Sequence, residues 1–345
     1  MRKIFRVVLG SLALCISLGM GGVLVMYHLN SPPTTLSGQE QEFTIFRGES
    51  VYSIAERLER EGFIRSKEFL IWISKWKGTE SRYQAGYYSL PFGKTALEIH
   101  DLLVKGMQIL FRVTIPEGWT RTRMAKQLEA LGITPETEFL SATQNEELLS
   151  RFGIPAPHLE GFLFPETYHF PKDYPASKVV QTMVETFFRK TSSLLPEGEL
   201  PKGKELYEKV ILASIIEREY RDPEEAPLIA SVFYNRLKIR MPLGSCATVE
   251  YVLTQELGRP HPEFLTYQDL EVDSPYNTYK RQGLPPGPIG NPGTVALRAA
   301  FFPADTDFRY FVLKDPNAGR HFFSRTLQEH NQAKVVYLKR IQSGS

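Results

Sequence analysis

FTIFRGESVYSIAERLEREGFIRSKEFL, residues 43–70, returns 70 positions later as VTIPEGWTRTRMAKQLEALGITPETEFL, residues 113–140. Ile45, Gly48, Ala55, Leu58, Glu59, Gly62, Glu68, Phe69 and Leu70 match Ile115, Gly118, Ala125, Leu128, Glu129, Gly132, Glu138, Phe139 and Leu140. Such self-similarity marks one supersecondary unit used twice. Each copy reads as a strand, a Gly turn, an amphipathic helix and a Gly stop. In the first copy, residues 43–46 form the strand. Ser50 is positioned to cap a helix whose Ile54, Ala55 and Leu58 share one face, and Gly62 stops it. In the second, residues 111–115 form the strand, Thr120 is the cap, and Met124, Ala125, Leu128 and Leu131 make the face.

Working outward, residues 83–90 (YQAGYYSL) alternate and predict a strand, and residues 95–104 predict a helix. From about residue 206 the pattern is helix-rich, and Pro and Gly dominate 283–293. Upstream, residues 29–42 (LNSPPTTLSGQEQE) read as a linker. Before them an apolar run over residues 5–27, preceded by Arg2, Lys3 and Arg6, would be roughly 34 Å long as a helix, enough for a bilayer core. The basic residues predict a cytoplasmic N-terminus with the rest outside. The run exceeds a signal-peptide apolar region, and Met26-Tyr27-His28 is a poor cleavage site, so an uncleaved anchor is expected. Gly19, Gly21 and Gly22 permit close helix packing or are simply tolerated.

The fold class expected is α+β: an N-terminal transmembrane helix over 1–28, the linker 29–42, βα modules over 43–110 and 111–158, and a mixed, helix-rich catalytic domain over 159–345. A chain of 345 residues supports two or three cores. Its net charge of +2 disfavours a partner bound by broad phosphate neutralisation, so nucleic acid is not expected. Cys15 and Cys246 lie too far apart to meet if the first is in a bilayer, and Leu14 before Cys15 does not fit a lipidation signal.

Several chemistries lack their residues: there is no H-E-x-x-H, no Cys/His cluster at metal-ligand spacing, no P-loop, no dinucleotide fingerprint and no G-x-S-x-G. No metal is expected. Cys246 reads as a small buried cysteine rather than a nucleophile. What remains is Glu217, in LYEKVILASIIEREY (206–220). Ala213 and Val210 precede it by four and seven residues, on the same helical face. Such a carboxyl has its charged form disfavoured and suits a general acid. The same spacing is compatible with a helix-end glutamate facing solvent, paired with Arg218 or Lys209.

The strand–RGES–helix pattern of the first copy resembles a LysM module, a small fold that binds GlcNAc-containing glycans; a purely structural βα unit fits it as well. The larger resemblance rests on motifs in order. They are LEGFLFPETY (159–168), LASIIERE (212–219), ASVFYNRL (230–237), Met241-Pro-Leu with Thr248-Val, SPYNTY (274–279), GLPPGPIGNP (283–292), PADTD (303–307), and FFS (322–324) with Glu329-His-Asn331. Together they resemble the endolytic murein transglycosylase family (MltG, or YceG-like). Many members carry an aspartate-bearing loop where this chain has LGSCAT (243–248).

The resemblance implies a lyase that cuts MurNAc–GlcNAc bonds within peptidoglycan strands, the MurNAc 6-hydroxyl closing a 1,6-anhydro end. It implies Glu217 as acid and base, no cofactor, and glycan strands as substrate. It further implies the membrane as anchor, a periplasmic catalytic part on the inner membrane, and peptidoglycan synthases as partners. Asn235, Tyr276, Asn277, Thr278, Pro285 and Asn291 are candidate groove residues, with loop-holding Asx turns and a proline-stiffened rim as the alternative. Glu219 is a candidate support for Glu217 or a surface charge. Glu160 and Glu166 read as structural.

Overall fold

The computed structural model describes residues 2–33, 38–46, 48–195 and 199–343, with side chains from 15 to 337. Two compact units divide the chain. One holds residues 1–111 and 169–173; the other holds 112–168 and 174–345.

In the first unit helix α1 runs Arg2–Asn30. Among the described residues no helix is long and apolar enough to cross a membrane. The membrane span expected over 5–27 is therefore not seen as such; the side chains of residues 5–14 lie outside those described. Strand β1 (Glu40–Ile45) begins inside the expected linker, where Glu40, Gln41 and Glu42 already pair with Pro91, Leu90 and Ser89 of β2 (Gly86–Pro91), antiparallel. Between the strands lie α2 (Val51–Arg60) and α3 (Lys67–Trp76), and α4 (Ala96–Lys105) follows β2. Each helix starts on a hydroxyl cap: Ser50, Ser66 and Thr95 accept from the N–H groups of Ser53, Phe69 and Glu98. The apolar face of α2 (Ile54, Ala55, Leu58) closes on Phe43, Phe63, Leu70, Tyr88 and Ile99 in one core. Phe63 stacks on Phe92 at 4.7 Å and meets Phe43 edge-on at 5.6 Å. Each such fully buried ring contributes about 2–3 kcal/mol of apolar transfer.

The second unit repeats the opening. Strand β3 (Phe111–Thr114) leads through Gly118 to α5 (Arg121–Ala130), capped by Thr120, then α6 (Glu136–Ala142) and α7 (Glu146–Arg151). Strand β4 (Thr167–Phe170) pairs with β3. Gly48 and Gly118, the turn glycines of the two copies, both take a positive φ (80° and 73°), and so do the stops Gly62 and Gly132 (82° and 67°). The repeat is thus a repeat of backbone conformation that only glycine adopts freely.

Helices α8 (Ala176–Ser192), α9 (Lys204–Ile216) and α10 (Ala226–Lys238) follow. Next come α11 (Cys246–Tyr251), which runs into a π turn over Val252–Glu256, then α12 (Tyr267–Leu270) and α13 (Thr294–Phe301). The β5–β6 hairpin (Tyr310–Asp315, Arg320–Ser324) and α14 (Leu327–Ser343) close the chain. Helix α9 is the axis: residues 210–216 are all buried, because an apolar stretch with no polar face needs neighbours on every side. It packs against α13 and α10, and α13 packs against α8. The Lys209 ammonium donates to the Tyr234 hydroxyl at 2.9 Å and to the Ala300 carbonyl at 3.3 Å, tying the three helices together.

Candidate active site

At the end of α9 the hydrogen bonding tightens. The N–H groups of Arg218 and Glu219 donate three residues back, to Ile215 and Ile216. This leaves Glu217 on the last turn, its own N–H on the Ala213 carbonyl at 2.9 Å. The carboxyl faces inward. The Gly293 N–H donates to Oε2 at 2.9 Å, and the Tyr220 hydroxyl donates to Oε1 at 3.2 Å. Gly293 caps the N-terminus of α13, so the carboxyl also faces the positive end of that helix. Burial pushes the Glu217 pKa up to about 7. The Gly293 N–H, the Tyr220 hydroxyl and Arg218 oppose that rise, while the Glu117 charge adds to it. The outcome is a carboxyl that carries a proton near neutral pH and has a donor-lined place to be ionised.

The carboxyl of Glu117 is the group that sequence reading missed. It lies in the turn between β3 and α5 and is exposed to solvent. A Cβ built on Gly293 would stand 1.8 Å from its Oε1, so the two fit together only because residue 293 has no side chain. Since Gly293 also donates to Glu217, the two carboxyls are no more than about 7 Å apart. Protein around the Glu117 carboxyl pushes its pKa up. No hydrogen bond or ion pair to it is found among the described residues.

Asn291 sets this arrangement. Its Oδ1 accepts from the N–H groups of Gly161 and Leu163, each at 2.9 Å. Its Nδ2 donates to the Trp119 carbonyl at 2.9 Å and to Glu160 Oε1 at 2.6 Å. Its backbone N–H reaches the Trp119 carbonyl at 2.9 Å, and its carbonyl accepts from the Gly118 N–H at 2.8 Å. Glu160 in turn accepts from the Arg121 N–H at 2.9 Å. Burial pushes Glu160 up to about 7, while Arg121 and Asn291 hold it down. Glycines make the fit possible. A Cβ on Gly290 would meet the Gly118 carbonyl oxygen at 2.6 Å, and one on Gly161 would meet Pro288 and Val210 within 2.7 Å. The Ser214 hydroxyl accepts the Ile289 N–H at 3.0 Å, fixing the same strip to α9. The motifs at 159–168, 212–219 and 283–292 are thus three walls of one site.

The other expected groove residues lie apart from Glu217 or are already engaged. Asn235 donates to the carbonyls of Thr306 and Phe308 at 2.7 and 2.9 Å. Asn277 is fully buried, donates to Leu270 and Val272, and accepts from the Tyr279 N–H. Thr278 is buried, bonded to the Ser245 N–H and to the Thr248 hydroxyl. Pro285 and Asn291 are buried as well. Asn235, Asn277, Thr278 and Asn291 hold loops through hydrogen bonds to backbone and to neighbouring side chains, the arrangement that the loop-holding alternative describes. Tyr276 is half-buried, its ring tilted against that of Tyr251 at 4.9 Å and its hydroxyl close to Gly287.

Two further expectations change. Glu219 is not a surface charge, because the tightened turn carries it onto Ser245, whose hydroxyl donates to it at 2.5 Å. Cys246 is exposed rather than buried: it is the first residue of α11 and its Sγ lies 3.1 Å from the Tyr279 hydroxyl. Glu166 is an ion pair with Lys190 at 2.7 Å.

Comparison with known proteins gives a consistent set. The YceG-like family model matches residues 43–335. The endolytic murein transglycosylase of Bacillus subtilis (strain 168) is 34% identical over 309 residues, spanning 84% of this chain and 83% of that protein. The endolytic murein transglycosylase of Streptococcus pneumoniae (strain D39) is 29% identical over 317 residues; the match covers 83% of this chain but 56% of the streptococcal protein. A solved structure of a putative yceG-like protein from Listeria monocytogenes has 31% identity and a TM-score of 0.55, covering 86% of this chain and 99% of that one.

Proposed function

This chain belongs to the YceG-like family, and from that premise we propose that it is a peptidoglycan lytic transglycosylase that cuts glycan strands internally. The observation that carries the reading is the Glu217 carboxyl, protonated near neutral pH on the buried helix end and held by Gly293 and Tyr220. Such a group has both halves of the work available to it. As an acid it gives its proton to the GlcNAc O4, and the C1–O4 bond of MurNAc breaks with the electron pair leaving on oxygen. As a carboxylate it then takes the proton of the MurNAc 6-hydroxyl while that oxygen bonds to C1. One bond is lost and one is formed, no water enters, and a 1,6-anhydro end results. Holding the 6-hydroxyl beside C1 supplies the proximity that a free nucleophile lacks.

On the same reading the basic N-terminus and the apolar run of α1 tether the enzyme to the inner membrane, with both units on the periplasmic side. The first unit, with its βααβ order, resembles LysM and would bind GlcNAc along the strand. Synthases that extend the strand are the natural partners of a tethered cutter. Hydrolysis by water is the second reading, favoured by one observation: a second carboxyl lies no more than about 7 Å from Glu217, and water-using glycosidases work with a pair of carboxyls.

The test is incubation of the full chain with purified uncrosslinked glycan strands, with products read by mass spectrometry beside Glu217→Gln. Anhydro-ended fragments that fall at least 1,000-fold in the variant are the expected result. Fragments one water heavier would replace the lyase reading with the hydrolase reading. Undiminished cleavage by the variant would remove Glu217 from the chemistry.

A further inference from the structure

The turn after β3 carries a carboxyl that has no structural employment. Glu117 has neither ion pair nor hydrogen bond among the described residues, and it fits where it stands because residue 293 opposite it is a glycine. A carboxyl that merely stabilised the fold would be matched by donors, as Glu160 is by Arg121 and Asn291. This one stands beside Gly293, which donates to Glu217, and remains exposed to solvent.

We propose that Glu117 is a second working carboxyl of the centre, a fixed negative charge that faces the sugar C1 while Glu217 moves the protons. The proposal rests on the lyase reading above. As the C1–O4 bond lengthens, positive charge grows on C1 and O5, and a carboxylate held close to that ring stabilises it without forming a bond. The proton inventory is unchanged: Glu217 gives one to O4 and recovers one from the 6-hydroxyl, and Glu117 exchanges none. The same charge also acts on Glu217. The groups that face Glu217 are Glu117 from the turn after β3, the Gly293 N–H at the start of α13, and Tyr220 and Arg218 from its own turn. Of these only Glu117 favours the protonated form by its charge, and Arg218 is itself paired with Glu250 at 2.7 Å.

The experiment uses the full chain and uncrosslinked glycan strands, comparing Glu117→Gln, Glu117→Asp and Glu217→Gln with the parent from pH 5 to 9. Glu117→Gln keeps the shape and loses no hydrogen bond, so it should fold. The expected result is a kcat about 100-fold lower with KM within about threefold. The basic limb of the kcat/KM profile should move to lower pH, because removing a neighbouring negative charge makes Glu217 release its proton more readily. Glu117→Asp, which keeps the charge, should recover part of kcat and return the limb toward the parent's position. A Glu117→Gln enzyme with parental kcat and an unmoved limb would overturn the proposal. So would a Glu117→Asp variant as slow as Glu117→Gln with the limb still displaced. Failure of the lyase reading is seen separately, as a Glu217→Gln variant that still cuts or as products that are not anhydro-ended.

Discussion

In the turn after β1 the carboxyl of Glu49 is closed in. It accepts from the Phe46 N–H at 3.0 Å, from the Ser53 hydroxyl at 2.9 Å and from the Arg57 guanidinium at 3.0 Å. In the turn after β3, whose Gly118 has a positive φ like that of Gly48, Glu117 has none of these partners. Trp119 stands seventy residues beyond Glu49, and the residue seventy beyond Ser53 is Arg123, whose guanidinium lies over the Trp119 ring at 4.3 Å. The first turn spends its polar groups on itself. The second is held from outside, by Asn291 and Glu160, and so its carboxyl is free to face Glu217. A repeated unit can therefore serve as plain scaffold in one copy and as active-site wall in the other, and the difference lies in who satisfies the turn.

The comparison is broken most severely by removing the outside hold. Asn291→Ala leaves the N–H groups of Gly161 and Leu163 without partners in a buried place and takes one donor from Glu160, whose oxygens keep only the Arg121 N–H. Orphaned buried groups cost about 1–3 kcal/mol each, and a buried carboxylate costs more. The expected loss is about 3–5 kcal/mol. Trp119 sits in the affected turn, and the other two tryptophans are Trp72 and Trp76. Unfolding of Asn291→Ala in a Trp72→Phe, Trp76→Phe background, followed by Trp119 fluorescence, therefore reads this loss directly. A loss below about 1 kcal/mol would mean that the second turn holds itself, like the first.

The pH dependence of the second turn's neighbour sharpens the contrast. Burial raises Glu217 from 4.5 to about 7. The folded state therefore binds a proton that the unfolded chain releases between those values. The stability this lends is fully present below pH 4.5 and lost as pH rises through 7. Glu217→Gln has no such dependence. It should match the parent at pH 4 and exceed it by up to about 3 kcal/mol above pH 7 in urea unfolding of the full chain. A gap that is the same at both pH values would mean that Glu217 is not strained by its position.

Much of this was legible in the residues, and the remainder was not for a definable reason. The repeat, the caps Ser50 and Thr120, the stops Gly62 and Gly132 and helix α4 follow from local spacing and turn chemistry, which a sequence carries directly. The burial of α9 follows from seven successive residues with no polar face. Glu117 was out of reach because its meaning comes from Gly293 and Glu217, 100 residues or more away, and nothing local distinguishes a free carboxyl from a capped one. Glu219 was misjudged because a helix continued to residue 220 points it outward, whereas three-residue hydrogen bonds turn it back onto Ser245. The polar residues Asn235, Asn277 and Thr278 look like ligand contacts in a motif, but their side chains are bonded to backbone groups and, for Thr278, to the Thr248 hydroxyl as well. The one trace of Glu117 in the sequence was the repeat itself: FRGES in one copy and PEGWT in the other, equal in backbone demand and unequal in polar partners.

The smallest effect is expected in the first turn, and it tests the claim that this copy is self-contained. Burial acts to raise the pKa of Glu49, but the Phe46 N–H, the Ser53 hydroxyl and the Arg57 guanidinium outweigh it, and the carboxyl is held below its ordinary value. Such a group contributes stability above the unfolded pKa and loses it as pH falls through the folded one. That is opposite in sign to Glu217. Arg57→Met keeps much of the packing over the Phe43 ring, where the guanidinium lies at 4.7 Å, and removes only the charge and its hydrogen bonds. Ser53 and Phe46 still serve the carboxyl, so the expected cost is about 1 kcal/mol at pH 7. The cost should shrink as the pH is lowered toward 3, where Glu49 takes up a proton. The fluorescence of Trp72 and Trp76, both on α3 of the same unit, reports the unfolding. A cost of 3 kcal/mol or more, unchanged at pH 3, would mean that Arg57 acts through packing rather than through the turn, and the contrast between a closed and an open carboxyl would lose its electrostatic half.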